Sequence, residues 1–540
     1  ADVRDLDLAL LAALRPNLRL AGAVTGRLEA AAQRDGSIRF AASVQHRVGD
    51  GPASTLEGAG SFSARADRPA LDLRVDAHPL AFAALADAIP GFAELTGDAR
   101  GPITITGALD DLHLDADLET SAGRLAVRGR FDLLAEAPSY EVEGSVTSFH
   151  LENVVPRLPP LALTASFAAA GAGRGAAATR ATGRLDIVYG SIGPVDLRGG
   201  SLRLAVDDGL LRVDSLEVRT EAGTITAGGE IGLIAARSGT LRLAARGDSL
   251  TALRPVFFPD DAALTDEARP GLGGRLAFDA TAEGSLAAGF GLRGTLRLDD
   301  ALFARTRADA AGLDFDAGGL RIDSTGLRTD SLRLRLAAHG DSVRFGRQLL
   351  YRIDAGLQYA APAGSLHASA GGPGGRAYRL RGQLEHFAEG LRIELAELGI
   401  DVGTGHWSLA GPARLTASAH HLDIADFRLV AAGDTGVIDA TGRLAWGDVP
   451  MPPATMASAD PAARVPLAGI PLPGDSLTVP APPPDTLAFR LSLRRVAIGD
   501  FLSIVQEEAA AHGQLDGSVE VSGTSRSPRI NAELSLDEVA

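Results

Sequence analysis

The sequence predicts an all-β protein with a few short helices, its strands assembled by repetition into an elongated, curved antiparallel sheet. Three observations carry that expectation. Apolar and polar residues alternate with period two in run after run, as half-buried strands require. Gly and Asp punctuate the runs about every 8 to 12 residues, the spacing of antiparallel meanders. One compound pattern of strand, turn, strand, Gly and strand recurs at 112–133, 211–233 and 422–444.

Taken along the chain, "LDLRV" sets Leu71, Leu73 and Val75 against charged neighbours, and "LHLDADL" does the same with Leu112 and Leu114. "LRLAV" contributes Leu202, Leu204 and Val206, and "LRLAA" contributes Leu241 and Leu243. "LRLRL" alternates Leu332, Leu334 and Leu336 with Arg333 and Arg335, and "LRIEL" presents Leu391, Ile393 and Leu395. Leu491 and Leu493, then Val519 and Val521, close the series. A slip of one residue would expose every Leu of a run and bury its Arg partners, so all these faces are expected to line one continuous side.

A larger unit contains the smaller one: an alternating strand, a short helix, then a Gly-led strand pair. The helices are read at Phe82, Leu85 and Ile89 with Pro79 just ahead, where a helix start tolerates proline. Others fall at Leu151, Val154, Val155 and Leu158, at Leu250, Leu253 and Phe257, and at Phe501, Ile504 and Val505 after Asp500. The opening "LDLALLAALRPNLRLAG" is a clipped fifth copy. Each helix is about two turns, too short to stand without packing.

Proline density removes 449–484 from any ladder, because proline lacks the donor a sheet needs. The expected organisation is therefore a repeat array over 1–448, a Pro-rich surface excursion over 449–484, and a further strand-helix-strand repeat over 485–540. A smaller loop is expected at 368–376, "ASAGGPGGR".

With long amphipathic helices missing, the sheet must cover its apolar face by folding over on itself. The result is a sandwich open along one side, or a trough, growing strand by strand. Only 5% of residues are aromatic, so the lining is aliphatic. Either the facing walls meet and the stripe is a core, or the groove stays unsealed and acyl chains take the place of the missing wall.

Composition narrows the partners. A formal charge of −16 repels a polyphosphate, which argues against nucleic acid. The absence of Cys excludes disulfides and thiol catalysis. The chain opens mid-pattern without a leader, both ends read as cuts through a repeat, and its most apolar stretch, 158–173, is too short to span a bilayer.

No catalytic, cofactor or metal constellation stands out. His420 and His421 are adjacent and face opposite ways on a strand. Asp110/Asp111, Asp207/Asp208 and Asp299/Asp300 read as turn and strand-end caps rather than calcium ligands. Neither GxSxG nor a Walker loop occurs, and the Arg-Gly-Asp at 246–248 falls where a strand gives way to a helix, with Asp248 or Ser249 as its cap.

The repeat "GQLDGSVEVSGTSRSPRINAELSLDE" at 513–538, with "LSLRRVAIGDFLSIV" and "LDLRVDAHPLAFAALADAI", resembles the TamB family of the AsmA-like superfamily, subunits of the translocation and assembly module. The resemblance covers nearly the whole chain outside the Pro-rich segment. It implies a taco-like β-groove with a hydrophobic interior, in the periplasm of a diderm bacterium, anchored in the inner membrane by an N-terminal helix outside this sequence. It further implies phospholipid transport to the outer membrane, with phospholipid acyl chains as groove ligands, and outer-membrane protein assembly beside a barrel of the TamA/BamA kind. A scaffold that offers sheet edges to unfolded barrel strands is the alternative function. A purely structural rod is a third.

Overall fold

The computed structural model describes residues 2–7, 22–34, 36–48, 51–63, 68–85, 95–156, 158–173, 179–259, 270–323, 326–329, 331–346, 348–387, 390–402, 405–418, 420–434, 436–446, 486–499, 513–525 and 527–537. The Pro-rich segment 449–484, Ile89, the helix read at Phe501, Ile504 and Val505, and the helical part of the opening copy lie outside them. The described chain is all-β, its strand pairs antiparallel apart from one parallel contact, Gly232 with Ser285, and it has short helical turns between strands. It falls into two units, one of Ala1–Arg269 with Thr281–Ala288 and one of Pro270–Ala280 with Gly289–Ala540.

In the first unit the strands pair in chain order. From Asp2–Asp7 to Gly239–Gly247 each strand is bonded antiparallel to its predecessor, a meander in chain order. The second unit is likewise a meander through Gly390–Val402. There the strand order splits: Gly405–Leu409 and Ala413–Ala417 share one lane between Gly390–Val402 and His421–Ala431, interrupted at Ala410, Gly411 and Pro412. Proline without a donor explains the break. Pairing then resumes in order to Ser527–Asp537.

Several strands outrun the expected turn spacing; Gly289–Ala304 has 16 residues and Thr306–Asp323 has 18. Bulges permit this. Asp299 and Asp300, expected at a turn or strand end, lie inside Gly289–Ala304, where Asp300 has φ 51° and pairs with Arg275 at 3.1 Å. Asp is among the residues that tolerate the left-handed region, so the strand bends there instead of stopping.

One bulge recurs with the repeat. Asp2–Asp7, Ala70–Ala81, Ser139–His150 and Thr486–Ala497 each break register shortly before their end. Asp5, Ser148 and Arg495 take left-handed conformations there, with φ of 49°, 46° and 48°. Each of their N–H groups, turned out of the ladder, donates to a side chain of the next strand: Thr25 Oγ1 at 3.0 Å, Thr164 Oγ1 at 3.0 Å and Asp516 Oδ1 at 2.9 Å. In Ala70–Ala81 the corresponding residue is Pro79, which has no N–H to satisfy. Pro79 thus belongs to the strand rather than to the helix start. Opposite the residue before the bulge stands Gly26, Gly101 or Gly517, with buried Ala165 in the fourth copy.

The helical turns fall where they were expected. Phe82–Leu85 is 3-10 as far as the described residues run, Leu151–Asn153 is a single 3-10 turn, shorter than expected, and Leu250–Leu253 runs into an α-turn at Arg254–Phe257 to give the two turns expected. Ser249 is the cap at the last of these, its hydroxyl accepting from the Thr251 N–H. The loop expected at 368–376 is half strand, since Ala363–Gly371 continues to its Gly pair and only Pro373–Gly375 turns.

Candidate functional site

Residues directly opposite in an antiparallel ladder share a face, so the register itself traces what lines each side of the sheet. In the first unit one row crosses every strand from Ala23–Ala32 to Gly239–Gly247. It reads Ala30, Phe40, Gly60, Leu73, Ile105, Leu114, Gly129, Val142, Ala169, Gly183, Leu204, Val213, Gly229, Leu241. No member is polar. The row beside it joins Val75, Ile103, Ala116, Val127 and Gly144 to Phe167, Leu185, Leu202, Leu216, Ala227 and Leu243. Leu71, Leu112 and Val206 belong to a third row on the same face, which also carries the Tyr140 hydroxyl.

The second unit repeats the arrangement. Its longest row runs Leu292, Ala317, Leu334, Tyr359, Gly364, Leu384, Ile393, Leu415, Ile424, Gly442, Phe489, Val521, Ile530, interrupted in polarity only by the Tyr359 hydroxyl. Leu336 and Leu395 occupy the neighbouring row through Leu357, Leu366 and Gly382. Leu491 stands opposite Val519, and Leu493 opposite Gly517. Leu391 lies two residues from Ile393 on the same face. Leu332 precedes its strand, which starts at Arg333, yet packs with Ala317 and Leu320.

Burial separates these residues. Leu112, Leu332, Leu395 and Leu493 are buried, whereas the remaining predicted residues, from Leu71 to Val521, are only half-buried. Arg333 and Arg335, between the Leu residues, are exposed. In the second unit one stretch of the stripe is closed: Trp407, 1% exposed, packs with Val402, Leu429, Ala431, Leu493 and Val496. Reading period-two alternation alone missed this core, although Trp407, one of two Trp residues in the chain, was its visible signal.

The opposite face is a lattice of exposed ion pairs. Arg128 meets Asp115 at 2.9 Å, Arg130 meets Asp111 at 2.7 Å, and Arg124 grips both oxygens of Asp117 at 2.9 and 2.6 Å. The hydrogen bond from Arg124 holds the Asp117 carboxyl below its usual range, and Arg130 does the same for Asp111. Asp110 pairs with Arg68, Asp207 with Arg180 and Asp208 with Arg237. These carboxylates are engaged by arginine side chains.

One cluster imitates a catalytic triad. Ser418 Oγ lies 2.8 Å from His421 Nδ1, and His421 Nε2 lies 3.4 Å from Asp423 Oδ2. The hydroxyl, however, accepts the N–H groups of His420 at 3.3 Å and His421 at 3.2 Å, closing the hairpin as a Ser turn. Asp423 is gripped at both oxygens by Arg443 at 2.6 and 2.8 Å. The cluster is a turn cap beside an ion pair. Among the described residues no group of three or more His, Asp and Glu could hold a metal ion, and no helix is long and apolar enough to cross a membrane.

Fold and face together define a class: an antiparallel repeat sheet with one aliphatic and one ionic side. No family model, curated protein or solved structure matches the chain.

Proposed function

We propose that the chain is a TamB-like lipid-shielding bridge of the diderm periplasm, carrying phospholipid toward the outer membrane with acyl chains laid along its aliphatic stripe. The carrying observation is the row of apolar and glycine residues from Ala30 to Leu241, unbroken by a polar side chain while its predicted members, Leu73, Leu114, Leu204 and Leu241, stay half-buried. A closed core would bury such residues. A face meant for water would interrupt them with charge, as the opposite face does.

The energetics favour an acyl occupant. Each methylene kept from water is worth about 0.8 kcal/mol, so a chain of about 15 carbons leaves a bilayer at a penalty on the order of 10 kcal/mol unless an apolar surface follows it. Leu, Val, Ile, Ala and Gly at successive rungs supply that surface without a polar gap. Function as a conduit rests on the face, with no reacting groups required.

Extraction and mass spectrometry of lipids carried by the protein purified from a diderm host tests the reading. Phospholipid in excess of a non-lipid-binding control is expected. Its absence, with crosslinks from strand edges to unfolded barrel precursors, would replace the bridge with an assembly scaffold acting by β-augmentation.

A further inference from the structure

Three adjacent strands of the first unit, Gly123–Asp132, Ser139–His150 and Leu161–Ala172, place a glycine on the aliphatic face, at Gly129, Gly144 and Gly171. Glycine within a strand weakens it and often marks a close approach, so three in neighbouring strands need a cause. An aromatic side chain lies over each. A Cβ at Gly144 would meet Phe167 Cζ at 2.8 Å, one at Gly129 would meet Phe131 Cε2 at 2.8 Å, and one at Gly171 would meet the Tyr140 hydroxyl oxygen at 2.8 Å. Phe167 stands directly opposite Gly144 and Tyr140 opposite Gly171, while Phe131 is two residues from Gly129 on its own strand.

Cβ positions are about 4.5–5.5 Å apart across a ladder and about 6.5 Å apart two residues along a strand. The far end of each aromatic side chain comes closer to its glycine than that, so the ring reclines on the sheet instead of standing away from it. Phe315 lies over Gly294 in the same manner in the second unit, with Cζ 2.8 Å from the Cβ position. A reclining ring adds one van der Waals layer to the floor, about 3.5–4 Å. The long row consequently runs through Gly129, Val142 and Ala169 with Phe131 and Tyr140 on one flank and Phe167 on the other.

We propose that Gly129, Gly144 and Gly171 are positioning residues that seat Phe131, Phe167 and Tyr140 flat and thereby set the clearance of the acyl path across these three strands. The inference rests on the reading of the stripe as an acyl path. An extended acyl chain passes over Gly129, Val142 and Ala169 between the seated rings. A methyl group in a seat lifts its ring into the space that the chain takes.

Gly129→Ala is the direct test, because the three atoms nearest its Cβ position all belong to side chains: Phe131 Cε2 and Cζ at 2.8 and 3.1 Å and Val142 Cγ2 at 3.3 Å. The full chain is exposed to a phospholipid with a photo-crosslinkable acyl chain, and adducts are mapped by mass spectrometry. Labelling of Gly123–Asp132 and Ser139–His150 is read against labelling of Arg333–Phe345 in the second unit. Native protein is expected to label in both places. Gly129→Ala should keep the native circular dichroism and lose at least about fourfold of the first-unit labelling, the worth of one methylene contact. Gly129→Ala/Phe131→Ala removes the lifted ring and should restore it, which a glycine needed only for the fold would not do. Gly228→Ala, on the ionic face with no atom nearer than 3.7 Å to its Cβ position, should label as native does. Unchanged labelling of Gly129→Ala, no recovery in the double variant, or loss of fold in Gly129→Ala would overturn the seats while leaving the acyl path standing. Absence of labelling in both units of native protein would overturn the acyl path as well.

Discussion

Thr164 Oγ1 accepts the backbone N–H of Ser148 at 3.0 Å, and this one bond lets the strand Ser139–His150 bulge without leaving a donor unmet. Thr25 does the same for Asp5, and Asp516 for Arg495. The bulge is therefore a property of the repeat, with its cap supplied by the neighbouring strand.

Removing the cap should cost stability without changing the fold. Thr164→Val keeps shape and β-propensity but leaves the Ser148 N–H to water, at an expected cost of about 1 kcal/mol. Urea denaturation of the variant checks it. A midpoint equal to native would mean that solvent satisfies the bulge equally well.

Gly101 answers the bulge from the other side. Its φ is 132°, and an added Cβ would lie 2.4 Å from the Asp117 carbonyl oxygen, so Gly101→Ala should destabilise by about 1–3 kcal/mol. Gly411 faces open space, and Gly411→Ala serves as a near-neutral control. Equal effects of the two substitutions in thermal melts would refute the steric account.

Asp423 and Arg443 predict the acid limb. The hydrogen bond from Arg443 depresses the folded-state pKa of Asp423 below its unfolded value, so its stabilisation is full above about pH 4 and is lost as pH falls through the folded value. Partial solvent screening limits the pair to about 1 kcal/mol. Asp423→Asn should lower stability at pH 7 and flatten the decline below about pH 4. A stability difference between native and variant that persists undiminished at pH 2 would contradict this.

Trp407 and Leu334 should respond differently to truncation. Trp407→Ala empties the largest closed cluster among the described residues and should cost about 3–5 kcal/mol, whereas half-buried Leu334→Ala should cost about 1–2 kcal/mol. Calorimetry on the two variants decides. Similar losses would mean that the stripe at Leu334 is packed like the core at Trp407.

The strands were legible because a half-buried sheet imposes period two: Leu334 and Leu336 alternate with Arg333 and Arg335 in the structure as in the sequence. The Gly-led strands at Gly101 and Gly517 were legible as a pattern, but their reason was not. They face a bulge whose partner lies more than 20 residues away in sequence, and no local signal marks Ser148 or Arg495 as left-handed. The helix at Leu250, Leu253 and Phe257 was legible from its apolar spacing, which the two turns of Leu250–Leu253 and Arg254–Phe257 match, whereas at Leu151–Asn153 the same spacing is served by a single 3-10 turn.

The central claim is that the stripe carries acyl chains, and it is tested most directly at Leu334 and Ile393, which share one row through Tyr359, Gly364 and Leu384. Leu334→Arg and Ile393→Asp, made separately, each place a charge on that row. The measurement is capture of a photo-crosslinkable phospholipid by each purified variant, read beside its circular dichroism and melting temperature. Because both positions are half-buried, the charged tips reach water and the fold is expected to persist, while capture falls severalfold. Capture at the native level by two folded variants would contradict the account. Loss of the fold, at the several kcal/mol that an unpaired buried charge costs, would make the stripe a sealed core.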